Sequence, residues 1–302
     1  MRFPVSIRHC LSFIIFAAIC TPLGAQTATK AFDFPGTHNG KAAQGMAIHG
    51  NTAFLLNDEG WCRIYNLATR QLLTQFALAS AEPSNHANCA GFGPEYPKGN
   101  DMFPALYVSE CWDPCRCFVE SVSTKGPRIM QTLQLKVNGK ARGANWYVDR
   151  ERKFLYTIFG ASGVIDARGT KKYRITKLPL PPIPPAGKSK IVFTEKDIVD
   201  KFEVAFHNLV QGGTIHNGFL YLPVGASAAS PPAQYKDRAV IIIDLNAKKI
   251  ARVIDLNASV PEEPEDVAFY GDTLLLYVGQ KGGLYKIPLP PVVETSGAQG
   301  AQ

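Results

Sequence analysis

The chain reads as an all-β protein: a five-bladed β-propeller closed by an N-terminal strand, with a short helical insertion. Three observations predict this. A strand built round Leu-Tyr or a close variant recurs five times. Its anchors, Phe54, Leu106, Leu155, Leu220 and Leu275, lie 52, 49, 65 and 55 residues apart. Each anchor follows a run of small residues and precedes further apolar strands. Finally, one phrase occurs twice. Gln44-Gly45-Met46-Ala47-Ile48-His49 opens one segment, and Gln211-Gly212-Gly213-Thr214-Ile215-His216 opens another. Self-similarity over tens of residues marks a repeat architecture. Four antiparallel strands per repeat make a propeller blade.

The elements follow in order. Arg2 and Arg8, the apolar run Leu11 to Cys20 and the small residues Leu23-Gly24-Ala25 read as a signal peptide over residues 1–25. The apolar run is too short to span a membrane comfortably. A lipoprotein would need Cys20 as its first residue, and Ile19 fits that processing poorly. The expectation is a secreted or periplasmic protein with no membrane span. Removing residues 1–25 takes Arg2 and Arg8 with it, so the formal charge of +7 falls by two, to +5. The remaining basic residues are scattered, and no aromatic-interleaved basic stripe suggests nucleic acid. Five cysteines stay, Cys62, Cys89, Cys111, Cys115 and Cys117. Export permits disulfides, but five is odd and no zinc-type spacing occurs. A structural disulfide plus buried thiols is the expectation.

A single domain is expected over 26–290. Lys30 to Phe34 precedes blade 1 and can supply the strand that blade 5 lacks, which leaves no open edge. The innermost strands fall at Gln44 to Ile48, Asn88 to Phe92, Gly143 to Val148, Gly212 to Ile215 and Asp266 to Phe269. Small residues suit them because backbones crowd at the axis. Third strands follow at Cys62, Cys117 and Val240, and fourth strands at Leu72, Met130 and Ala251. Cys62 and Cys117 take equivalent positions and read as buried. Leu178 to Pro185 is proline-rich and excludes a central strand. Thr194 then reads as an N-cap, with Ile198, Val199 and Phe202 at helical spacing. Further insertions span Ser80 to Asp101 and Ala226 to Lys236, and residues 291–302 read as a disordered tail.

The blade pattern resembles secreted bacterial β-propeller proteins of the YVTN or quinoprotein-like type, over most of the chain. Gln44-Gly45-Met46 is also similar to the Gln-Gly-Leu opening of five-bladed glutaminyl cyclases. Those enzymes carry Gly-Glu-Gly in the following blade, where Asn88-Cys89-Ala90-Gly91 stands here. The likeness therefore implies a fold and not that activity.

In a propeller, ligands meet the mouth where the innermost strands begin. That end collects Gln44, His86 or Asn88, Arg142, Gln211 and Glu265, with His38 and His207 just upstream. Convergent polar groups of this kind predict a binding site. His49 and His216 end their strands and read as turn residues. Asp58, Glu59 and Glu110 sit at the same edge and suggest acid–base chemistry of the glycosidase type. Trp61, Trp112 and Trp146 suggest either a sugar platform or blade packing. No Gly-x-Ser-x-Gly elbow or phosphate loop occurs. The leading expectation is a non-catalytic module for a small ligand, glycan or peptide. A hydrolase, lyase or cyclase using Glu265 with His38 or His207 is the alternative. A scaffold binding a protein partner through the inserted loops is the third. No cofactor is expected, beyond a structural cation in the central channel.

Overall fold

A computed structural model describes residues 27–289, except 101, 168, 185–187, 208 and 227–236. The signal peptide, the C-terminal tail and most of the 226–236 insertion lie outside the described residues. Five sheets stand round one axis. Blade 1 is β2 (Ala43–His49), β3 (Thr52–Asn57), β4 (Trp61–Asn66) and β5 (Gln71–Ala77). Blade 2 is β6 (Ala87–Phe92), β7 (Leu106–Glu110), β8 (Cys117–Ser123) and β9 (Gly126–Val137). Blade 3 is β11 (Asn145–Asp149), β12 (Phe154–Val164), β13 (Lys171–Pro179) and β15 (Asp200–Phe206). Blade 4 is β16 (Thr214–His216), β17 (Phe219–Val224), β18 (Ala239–Asp244) and β19 (Lys249–Asp255). Blade 5 is β20 (Pro264–Tyr270), β21 (Thr273–Val278) and β22 (Leu284–Ile287), completed by β1 (Thr29–Phe32).

All five anchors lie on second strands. The closure is the expected one: β1 pairs antiparallel with β22, Thr29 opposite Lys286. Phe34, just beyond β1, stacks on Tyr65 of blade 1 with centroids 4.1 Å apart. The N-terminal segment thus joins the last blade to the first. The core is likewise a ring. Five apolar clusters fill the spaces between successive blades, for example Phe54, Leu56, Leu106 and Val108 between blades 1 and 2. The short strand period sends alternate residues to opposite blade faces, so each blade feeds two clusters.

Three features differ from the sequence reading. The helical insertion is a single 3-10 turn, η1 (Glu195–Asp197), with Thr194 and Asp197 forming a capping box. Phe202 lies instead on β15, where Phe202, Val204 and Phe206 alternate inward. The proline-rich connection also contributes β14 (Ser189–Phe193). This strand leaves blade 3 and pairs parallel with β9 of blade 2. It thereby covers the outer edge of blade 2. β10 (Lys140–Arg142) folds back along the other side of β9, beyond the end of β8, since Leu135 pairs with Phe193 on one side and with Arg142 on the other.

The third difference concerns the cysteines. All five are free thiols, so the expected disulfide is not formed. Cys62, Cys117 and Cys89 are buried in three different inter-blade clusters, which keeps them apart. Cys111 and Cys115 share the loop between β7 and β8 and are partly exposed. Burial pushes the Cys111 thiol up to about 12 and the Cys115 thiol up to about 11. Alkylation of the native protein is therefore expected at these two only, and faster as pH rises, since the thiolate is the nucleophile. Peptide mass spectrometry checks this, with Cys62, Cys89 and Cys117 labelled only after unfolding.

Candidate functional site

The innermost strands β2, β6, β11, β16 and β20 pack side by side in a closed ring round the axis. Three of them carry a bulge at the same place, between Ala43 and Met46, Ala87 and Cys89, and Pro264 and Asp266. A bulge breaks the ladder and re-aims a side chain. It makes Gln44, Asn88 and Glu265 equivalent positions at the strand starts. Gln211 joins them through the repeated Gln-Gly phrase.

Just below these residues lies Asp266, fully buried at 0 % exposure. Its Oδ2 accepts hydrogen bonds from the Met46 N–H at 2.7 Å and the Ala90 N–H at 3.0 Å. Its Oδ1 accepts from the Gly213 N–H at 2.6 Å and the Val267 N–H at 2.8 Å. One carboxylate therefore ties together blades 1, 2, 4 and 5. Burial raises its pKa overall, and the four donors work against that rise. Asn145 links blade 3 to the same hub. It accepts from Asn88 Nδ2 at 2.9 Å and donates to the Gln211 carbonyl at 2.5 Å. Sequence reasoning missed both roles. The sequence places both on innermost strands, Asp266 at a start and Asn145 in an interior, and neither position signals a contact across the ring.

Glycine in the repeated phrase follows from this crowding. A Cβ on Gly212 would lie 2.2 Å from Asp266 Oδ1. A Cβ on Gly45 would lie 2.9 Å from the Ala87 carbonyl oxygen.

Above the hub is an acidic mouth. Glu265 is 2 % exposed, and its Oε2 has no hydrogen-bond partner. Burial pushes its pKa well up, and the like charges of Glu263, Asp58, Asp266 and Glu262 add to the rise. Gln44 is also buried with its Oε1 unpartnered. Gln211 donates through Nε2 to the Gly225 carbonyl at 3.1 Å and to Glu263 Oε1 at 2.5 Å. Gly279 closes over Glu265, since a Cβ there would lie 2.9 Å from Oε1. At the rim, His86 Nδ1 pairs with Asp58 Oδ1. The His86 ring lies flat on Trp112, centroids 4.6 Å apart and 2° from parallel. Trp112 is 57 % exposed.

The other expected site residues are placed as follows. Arg142 does not start an inner strand. It pairs opposite Leu135 of β9, beyond the end of β8 and on the side away from β14, with its guanidinium 5.9 Å from the Phe159 ring centre. The β9–β10 hairpin uses up the residues before Asn145, so Asn145 takes that inner position. His86 sits two residues before Asn88, at the rim and not on the axis. His38 is buried with both ring nitrogens unpartnered, its edge against Trp61 at 5.9 Å. Burial, and then Arg63, lower its pKa to about 4. It stays neutral and is walled in. His207 faces Asp237 at 3.2 Å between blades 3 and 4. Glu110 is held by Arg116 in two bonds of 2.6 Å, so it is not an unengaged carboxylate. Trp146 is buried in blade packing. Among the described residues, no three His, Cys, Asp or Glu side chains gather as a metal ion needs. Among them also, no helix is long and apolar enough to cross a membrane.

No protein-family model matches the chain, and no curated protein matches it either. Similarity appears among solved structures. The crystal structure of Myxococcus xanthus glutaminyl cyclase superposes with a TM-score of 0.51 at 16% identity. The match covers 86% of this chain and 94% of that one. At that identity the likeness establishes the fold alone: this chain is a five-bladed β-propeller of the kind that the cyclase also uses.

Proposed function

We propose that this protein is an exported, non-catalytic binding module. On this reading it takes a small ligand or peptide end through a cationic, hydrogen-bond-donating group at the mouth of the channel. The observation that carries the reading is Glu265, a fully buried carboxyl with an oxygen left unpartnered. Leaving a buried acceptor unmade costs about 1–3 kcal/mol, more for a charged group. A site with that cost built in is completed by a donor from outside. Gln44 Oε1 is a second unpartnered acceptor on an equivalent inner strand. Asp58, Glu262 and Glu263 make the surroundings negative, so the donor that fits is an ammonium. The ring of Trp112, exposed above His86, supports the ligand body.

Among the described residues, most of the expected acid–base groups other than His86 are engaged elsewhere, which favours binding over turnover. His38 is sealed, Glu110 is neutralised by Arg116, and His207 faces Asp237. The channel cation expected from sequence fits here only as a monovalent or organic cation, since a third anionic ligand is not gathered among the described residues.

The test is a thermal-shift and calorimetric panel of primary amines, amino acid amides and short peptides, against wild type and Glu265→Gln. Wild type is expected to bind amines. Glu265→Gln, which keeps the shape and removes the charge, is expected to lose at least about tenfold in affinity, roughly 1.4 kcal/mol. Equal binding by both proteins would overturn the reading.

A further inference from the structure

Asp266 divides the channel. Beyond it, toward the ends of the inner strands, lies a cavity of about 120 Å³ that receives residues from all five blades. Its walls are mixed, with apolar side chains such as Ala47, Ala90, Val148, Ala268 and the rings of Phe92 and Phe269 set among polar groups. The inner edges of the surrounding strands have no neighbouring strand, so backbone N–H and C=O groups also face the channel. At its rim stand Arg150 and His216. Among the described residues Arg150 has no ion-pair partner and is exposed. His216 leans on Phe269, centroids 4.2 Å apart, and meets Asn217 at 3.1 Å. His49, next in sequence to the lining residue Ile48, has its edge on Phe92 and lies 3.3 Å from the Tyr96 hydroxyl. Of the two histidines that end the repeated phrase, His216 therefore lines the lower cavity and His49 packs on one of its lining rings.

The chemistry is the reverse of the upper mouth. Arg150 is the one permanently charged side chain in this lining, so the site rejects a cation and favours an anion, whose body meets the apolar rings. The volume limits that body. An apolar cavity of about 150 Å³ holds benzene, so this one suits a short chain or a single ring. We propose that the lower cavity is a second ligand site for a small carboxylate, its charge on Arg150 and its body between Phe92 and Phe269. Arg150 suits the role because its planar fork matches a carboxylate with two parallel bonds. The site lies on the far side of Asp266 and does not depend on what the upper mouth binds.

The test is a calorimetric and NMR titration of the folded protein with benzoate and butyrate, each against its neutral amide. Wild type is expected to bind the acids and not the amides, with shifts at Ala47, Ala90 and Ala268. Arg150→Gln, at an exposed position, is expected to lose about tenfold or more in affinity for the acids. Arg150→Lys should keep part of it, and Glu265→Gln should leave it unchanged. The proposal is overturned by any of three results: no binding up to about 10 mM; equal binding of acid and amide; or indifference to Arg150→Gln.

Discussion

Replacing Asp266 with alanine is expected to cost about 4 kcal/mol or more of stability. Four backbone N–H groups from four blades end on its carboxylate. Removing the acceptor strands donors that are buried at the axis, at about 1–3 kcal/mol each. In a protein of this size that is a fall of about 8 °C or more in melting temperature. Asp266→Asn tests the same point more gently. It keeps the volume but turns an NH2 group toward two N–H donors, so it too is expected to destabilise. Thermal unfolding followed by circular dichroism reads both. If Asp266→Ala melts at the wild-type temperature, the cost of burying the carboxylate equals what its bonds return, and the hub is not what joins the blades.

The second large effect is expected at Gly212. An alanine Cβ there would sit 2.2 Å from Asp266 Oδ1 and 2.4 Å from its Cγ. The carboxylate cannot swing away, because its four bonds hold it. Overpacking of this kind costs about 1–3 kcal/mol and sometimes more. The informative experiment is the double mutant. With Asp266→Ala in place much of the obstruction is gone, so Gly212→Ala is expected to cost less than it does alone. A coupling of about 1–2 kcal/mol between the two substitutions is expected. Strict additivity would show that Gly212 matters for some other reason.

These two residues show what was legible and what was not. The blades were readable because strand alternation and turn residues are local signals. Phe54, Leu106, Leu155, Leu220 and Leu275 each mark a second strand without any knowledge of the fold. The repeated Gln-Gly phrase was visible as well, but its cause was not. Gly212 is glycine because of Asp266, a residue 54 positions later, and Met46 meets the same carboxylate from 220 positions earlier. Contacts across a ring leave no periodic trace in the chain. The same holds for β14, whose partner strand belongs to another blade. The helix expected near Ile198 failed for a related reason. Ile198, Val199 and Phe202 match helical spacing, while Phe202, Val204 and Phe206 match strand spacing, and pairing with β13 decides between them. At the mouth, Gln44, Gln211 and Glu265 fell where expected. Arg142 did not, because a three-residue hairpin strand shifts the register of the next blade.

The mouth also has a pH signature. The folded-state pKa of Glu265 lies well above its ordinary value, first through burial and then through the surrounding carboxylates. The group therefore holds its proton to higher pH than an ordinary carboxyl does. An ammonium favours the carboxylate, so binding should expel that proton, and amine affinity should rise with pH until Glu265 ionises unaided. The most direct measurement is calorimetry of amine binding near pH 7 in buffers of different ionisation enthalpy. Wild type is expected to release protons on binding, and Glu265→Gln none, with weakened binding. Binding that releases no proton and survives Glu265→Gln would contradict a cation-binding mouth centred on this carboxyl.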